Sequence, residues 1–414
     1  MFNYLYQETM KRFKLWLLAV ILMLCGAMTF TSCSKDDPPA NEEENVVLQA
    51  RVSSVYHIDE ADMTVYNIEY PSTDPFGKPV MLSGTITIGD EVTKDNPGKG
   101  LLLYNHFSVY RADECPSKGD LKMQELIAGS GLITISADYY GFGITEDKLQ
   151  AYCISSVNAQ ASVDALLAAK ELLPTLGYSW NDDILFNIGY SQGGQTSMAV
   201  VRLIDEKYPA LHITFTIAGA GAYDIPETYR QLIQADVSGM PSTVINVLLS
   251  YNKYFNLGIP YSDIFIEPLL SNIDEWIFSK KYTREEIDEK VGSYDIVNFV
   301  TPAMLDIESN VSKSFLEVMA KDNLCTGWTP RTDEHIILVQ HSKDITVPPA
   351  NTVNLYNFLK SQGVEDVRLI LGNFSKFAGQ PAHKTGAIIF ATSALVEICT
   401  ILDIPVWIKI EDLL

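Results

Sequence analysis

Apolar and polar positions change their rhythm along this chain. Between Val52 and Asp90 they alternate with a period of two, in VSSVYHI, MTVYNIEY and VMLSGTITI, with Asp, Gly and Pro turns between them. That alternation predicts three half-buried strands, an antiparallel lead-in. From Gly100 onward short apolar runs take over: Gly100–Tyr104 (GLLLY), Leu132–Ser136 (LITIS), Ile184–Ile188 (ILFNI), His212–Ile217 (HITFTI), Ile336–Gln340 and Val367–Leu371. Helical stretches separate them, among them Leu121–Ser130, Val157–Leu173 and Thr196–Glu206. A strand that is apolar on both faces must be covered on both. The pattern therefore predicts an α/β fold with a mostly parallel sheet behind the antiparallel lead-in.

One stretch interrupts the alternation. From about Tyr223 to Trp328 there is helical patterning, five prolines and many aromatics, but no convincing buried strand. It reads as a helical insertion lying on the C-terminal ends of the strands, where open α/β sheets bind ligands. The expected division is a first core part at 49–222, a helical cap at 223–328 and a second core part at 329–414.

The N-terminal residues follow another logic. Lys11, Arg12 and Lys14 precede a 16-residue apolar run, Leu15–Phe30. A basic segment before an apolar run too short for a comfortable membrane span reads as a secretory signal. Phe30-Thr31-Ser32-Cys33 then resembles a bacterial lipobox. The expectation is a signal peptide at 1–32, lipid attachment at Cys33 and a flexible tether over 33–48. The acidic SKDDPPANEEEN after Cys33 resembles the surface-export signals of Bacteroidetes lipoproteins. That implies a lipid-anchored protein of the cell envelope, on the outer membrane. No other apolar run of 18 residues is evident, so the lipid anchor is the only membrane contact expected.

Composition narrows the chemistry. The 414 residues are 47% hydrophobic and 20% charged, as in globular proteins, and the net charge is −22. Nucleic acid is excluded as a partner, because phosphate binding needs a basic face. Six cysteines without a CxxC pair suggest neither a disulfide scaffold nor zinc, and nothing points to a metal or an organic cofactor. An oxidising envelope permits a disulfide between Cys115 and Cys153, with buried free thiols as the alternative.

The strongest chemical signal is Gly189-Tyr190-Ser191-Gln192-Gly193-Gly194, between the strand ILFNI and a helix. GxSxG is weak as a string. Between strand and helix it places Ser191 on a sharp turn, with the glycines letting the two elements approach. The helix start supplies free N–H groups, and Gln192 N–H is the expected oxyanion donor. Phosphate binding at this turn is disfavoured, since no lysine follows. A serine nucleophile needs a histidine base and an acid to orient it, here in the order Ser, acid, His. Asp344 lies just past the strand Ile336–Gln340, with Glu365 and Asp366 as weaker rivals. Of the six histidines only His383 follows Asp344. His341 reads as a structural residue at a strand end, and His106 as a shaper of the loop after the first parallel strand. That loop, Asn105-His106-Phe107-Ser108, is where a second oxyanion donor belongs.

Together, SGTITI, LLLYNHF, ADYYGFG, GYSQGG, HSKDITVPP and PAHKTG resemble the α/β-hydrolase superfamily, most closely the secretory lipase family and related bacterial esterases. The resemblance implies a triad of Ser191, Asp344 and His383, with Gln192 as one oxyanion donor. The family usually has His-Gly after the first strand. Phe107 stands where that Gly would be, which leaves Phe107 or Ser108 as the second donor. The implied activity is hydrolysis of carboxylic esters, small or glycan-borne, through an acyl-enzyme. The alternatives are a serine peptidase on the same fold and a non-catalytic, glycan-binding surface lipoprotein. Acyl-chain length and oligomeric state are not legible.

Overall fold

The computed structural model describes residues 48–119, 127, 129–235, 237–373 and 381–405. The expected signal peptide, Cys33 and most of the helix expected at Leu121–Ser130 lie outside the described residues.

The lead-in strands are β1 (Arg51–Ile58), β2 (Met63–Thr73) and β3 (Pro79–Gly89), paired antiparallel in sequence. They are followed by β4 (Gly100–Asn105), β5 (Leu132–Ala137), β6 (Leu185–Tyr190), β7 (Phe215–Gly219), β8 (His335–His341) and β9 (Asp366–Gly372). All form one nine-stranded sheet in the order β1-β2-β3-β5-β4-β6-β7-β8-β9. β3 meets β5 antiparallel, and every pairing beyond it is parallel. β7 begins three residues later than the run HITFTI suggests. Its ladder with β6 runs from Phe186 opposite Phe215 to Tyr190 opposite Gly219, so the small residues Ala218 and Gly219 complete the strand.

The central strands are buried on both faces, and their alternating side chains feed two cores. Leu101, Leu103 and Leu185 pack with α1 (Ser155–Thr175) and α2 (Gln192–Lys207). Leu102, Tyr104, Phe186 and Ile188 pack instead with Ile389, Phe390 and Ala394 of α11 (Ala382–Ile401). Each such side chain contributes roughly 1.5–3 kcal/mol. By length and composition alone, α11 is apolar enough to cross a membrane. More than half of it is buried in the protein, against β6, β7 and β8, which makes it a core helix.

Between β7 and β8 the chain runs through α3 (Ile225–Ala235), α4 (Pro241–Tyr254), α5 (Tyr261–Ile264), α6 (Leu269–Ile273), α7 (Arg284–Val291), α8 (Pro302–Leu305) and α9 (Asn310–Lys321). Among the described residues this stretch adds no strand to the sheet, only isolated bridges such as Phe265–Val300. Buried polar contacts hold it down. The Asp322 carboxylate accepts from Ser155 N (2.8 Å), Ser155 Oγ (2.6 Å) and Tyr251 OH (2.7 Å). Burial pushes the Asp322 carboxyl above its ordinary pKa. Gln150 Nε2 donates to Asn246 Oδ1 (2.8 Å), and Ser250 Oγ donates to Gln150 O (2.7 Å). The last helix before α11, α10 (Ala350–Ser361), packs on β8 and β9.

Candidate active site

β6 ends and α2 begins with a single residue between them, Ser191. Its φ is +59° and its ψ −121°, a conformation that costs a non-glycine residue about 1–3 kcal/mol. Surrounding backbone holds it there: Ser191 N donates to Gly219 O at 2.8 Å. The turn also requires missing Cβ atoms. One on Gly189 would sit 2.2 Å from Gly193 O, and one on Gly193 would sit 2.0 Å from Asn105 O. These two glycines press the start of α2 against both β6 and the loop after β4.

Ser191 Oγ lies 3.0 Å from His383 Nε2, and His383 Nδ1 lies 2.6 Å from Asp344 Oδ2. The carboxylate can only accept, so Nδ1 carries the hydrogen and Nε2 presents its lone pair to the serine hydroxyl. His383 opens α11, and Asp344 lies in the loop after β8. Three chain segments, 192 residues apart at the extremes, thus form one hydrogen-bonded line.

Asp344 is fixed from every side. Its Oδ1 accepts from Thr346 N (2.8 Å) and Val347 N (3.1 Å), and its Oδ2 also accepts from Gln340 Nε2 (3.2 Å). Gln340 is held in turn by Thr352 Oγ1, which donates to its Oε1 at 2.8 Å. On the other flank Tyr190 OH donates to His383 O at 2.6 Å. Burial and the Asp344 charge push the Tyr190 phenol far above its usual pKa, so it stays a donor. Sequence reasoning missed Gln340 and Tyr190 as positioning residues. A signal for Gln340 existed, a buried amide ending the apolar run IILV.

The remaining sequence-named residues fall as follows. Gln192 is the first residue of α2, so its N–H has no intrahelical acceptor. His106 is buried, stacked on the Tyr139 ring at 4.1 Å, with its Nδ1 2.7 Å from Phe107 O. Phe107 is 42% exposed, and Ser108 Oγ sits 2.6 Å from Tyr152 OH. His341 ends β8, and its Nδ1 accepts from Lys343 N at 3.0 Å. Burial lowers its pKa. Glu365 lies just before β9 and Asp366 opens it; the carboxylate partner of His383 Nδ1 is Asp344. Cys115 and Cys153 are free thiols, both raised in pKa by burial.

A cavity of about 70 Å³ opens at Ser191 and Gln192. Its far side belongs to the helices between β7 and β8: Ile225 of α3, Val244 and Leu248 of α4, and Met319 of α9. Thr346 and Val347, which hold Asp344, line it too. A nucleophile at the mouth of an apolar recess can form and keep a covalent adduct with one apolar group seated inside.

A family model described as secretory lipase matches residues 120–382. No curated protein matches the sequence. Among solved structures, a candidate hydrolase from Legionella pneumophila superposes with a TM-score of 0.73 at 19% identity, covering 87% of this chain and 100% of that one. The rice cell wall degrading esterase LipA from Xanthomonas oryzae gives 0.68 at 20% identity, over 86% of this chain and 97% of that one. Candida antarctica lipase A in its closed state gives 0.63 at 14% identity, over 86% and 83%. At these identities the structural likeness shows a shared α/β-hydrolase fold.

Proposed function

The chain belongs to the secretory lipase family, and from that premise we propose that it hydrolyses carboxylic esters through an acyl-enzyme formed on Ser191. The observation that carries the reading is the line Ser191 Oγ, His383, Asp344, at 3.0 and 2.6 Å. His383 Nε2 takes the serine proton as Oγ attacks the ester carbonyl. The imidazolium, held by Asp344, then returns the proton to the departing alcohol. Water repeats the sequence on the acyl-enzyme. The negative charge on the carbonyl oxygen falls to Gln192 N–H and a second donor from Phe107 or Ser108, since Gly193 lets that loop lie against the start of α2.

The acyl part remains bonded to Ser191 after the alcohol has left, so the recess under α3, α4 and α9 suits the acyl chain. Its mostly apolar lining suits an acyl chain rather than a charged group. In this reading residues 223–328 form the cap over the site, between the core parts 49–222 and 329–414. Secretion accords with the family. Lipid anchoring at Cys33 rests on the sequence pattern of the leader.

A fluorophosphonate probe tests the assignment. The labelled peptide should contain Ser191, and Ser191→Ala should abolish both labelling and turnover of p-nitrophenyl butyrate while the fold survives. Full labelling of the alanine variant would refute it.

A further inference from the structure

Three hydroxyls stand in a row at the edge of the recess. Tyr110 OH lies 3.2 Å from Tyr152 OH, and Tyr152 OH lies 2.6 Å from Ser108 Oγ. Both tyrosines are buried, and burial raises both phenols above their usual pKa, so each keeps its hydrogen. Three hydrogens serve two links, which leaves one over. If the row ran inward from Ser108, the spare hydrogen would sit on Tyr110, sealed in the protein. Ser242 Oγ is close to that phenol but makes no hydrogen bond among the described residues. A buried donor without an acceptor is costly. The row therefore runs outward: Tyr110 donates to Tyr152, and Tyr152 donates to Ser108. The half-buried Ser108 keeps its own hydrogen for an acceptor that arrives from outside the row.

The row meets the reaction centre at two points. Tyr152 lines the recess together with Ser191. Ser108 closes the loop after β4, and that loop lies against the start of α2, where a Cβ on Gly193 would strike Asn105 O and His106 O. Tyr152 is also held from behind, since its N–H donates to Ser250 Oγ of α4 at 3.0 Å. A hydroxyl that has already accepted a hydrogen bond donates a stronger one.

Resting on the serine-hydrolase reading above, we propose that the Ser108 hydroxyl is the second oxyanion donor and that Tyr152 is the positioning residue that aims it. As the ester carbonyl oxygen gains negative charge, it accepts from Ser108 Oγ beside Gln192 N–H. No proton changes owner at Ser108, which remains a hydroxyl throughout.

Steady-state kinetics on p-nitrophenyl butyrate test it. Ser108→Ala removes a donor from the developing charge, so kcat should fall about 100-fold while KM changes less than about twofold. Tyr152→Phe keeps the ring but loses the aim, and kcat should fall about tenfold. The double variant should be no slower than Ser108→Ala alone, because Tyr152 acts only through Ser108. Ser108→Thr keeps a hydroxyl and should recover most of the rate; if Ser108 served packing alone, the smaller alanine would be tolerated better than threonine. Ser108→Ala within about threefold of the wild type, or a double variant slower than Ser108→Ala by the full effect of Tyr152→Phe, overturns the inference while the serine-hydrolase reading stands. If Tyr152→Phe does not fold, the alanine and threonine variants of Ser108 decide whether its hydroxyl is the donor. A wild type that neither cleaves the ester nor takes a fluorophosphonate label sinks both.

Discussion

The two sides of Ser191 are built on opposite plans. On the His383 side hydrogen bonding is saturated: Asp344 accepts four hydrogen bonds, and Gln340, which gives one of them, is itself held by Thr352. On the cavity side the wall is mostly apolar, with Ile225, Val244, Leu248 and Met319 facing the serine. In the proposed reading the first side fixes the geometry that proton transfer needs within fractions of an ångström. The second offers apolar surface and shape rather than fixed polar partners. In the proposed reading the contrast separates proton handling, set by hydrogen bonds, from substrate recognition, set by apolar surface.

Three substitutions sharpen that contrast. Asp344→Asn attacks the saturated side and should have the largest effect. An amide cannot hold the same His383 tautomer, so kcat should fall about 10⁴-fold with little change in KM. A loss below tenfold in steady-state assays would mean that Asp344 is not the orienting acid. Met319→Ala attacks the open side. It lengthens the recess, so the kcat/KM ratio of octanoate to butyrate esters should rise about tenfold, at a stability cost of about 2–4 kcal/mol. An unchanged chain-length profile would place the acyl chain elsewhere.

The smallest effect on turnover belongs to a site remote from both. Glu334 lies at the opposite end of β8 from Asp344, bonded to Arg331, whose Nη2 donates to its Oε1 at 3.0 Å. Burial, then the nearby Asp205 charge, raise its carboxyl from 4.5 to about 7. A raised folded pKa means stability that is present below pH 4.5 and lost as pH climbs through 7. Glu334→Gln should therefore gain about 1–2 kcal/mol over the wild type at pH 8, gain nothing at pH 4, and leave kcat/KM unchanged. Denaturant melts at the two pH values decide it.

What the sequence disclosed and what it hid divide along similar lines. The strands and Ser191 announced themselves through local pattern: a period of two, then apolar runs, then glycines flanking a serine. Asp344 and His383 followed from chain order, because this topology brings the ends of β8 and β9 to the turn after β6. Gln340 and Tyr190 were not legible as positioning residues, since their importance rests on contacts across 4 and 193 residues that no local rhythm records. The recess was hidden for the same reason. Ile225, Leu248 and Met319 become neighbours only through the packing of three helices. The late start of β7 shows tertiary pairing with β6 overriding the apolar run that precedes it.

The position of His383 on α11 bears on how such a protein is made. A ribosome releases Ser191 early, Asp344 some 150 residues later and His383 last of the three. In the proposed reading, until α11 lies against the sheet, Ser191 lacks the His383 partner that would take its proton and remains an ordinary alcohol. A chain still emerging, or held extended for passage across a membrane, is then inert toward the esters of the cell that makes it. In that reading hydrolytic power arrives with α11, wherever that helix docks.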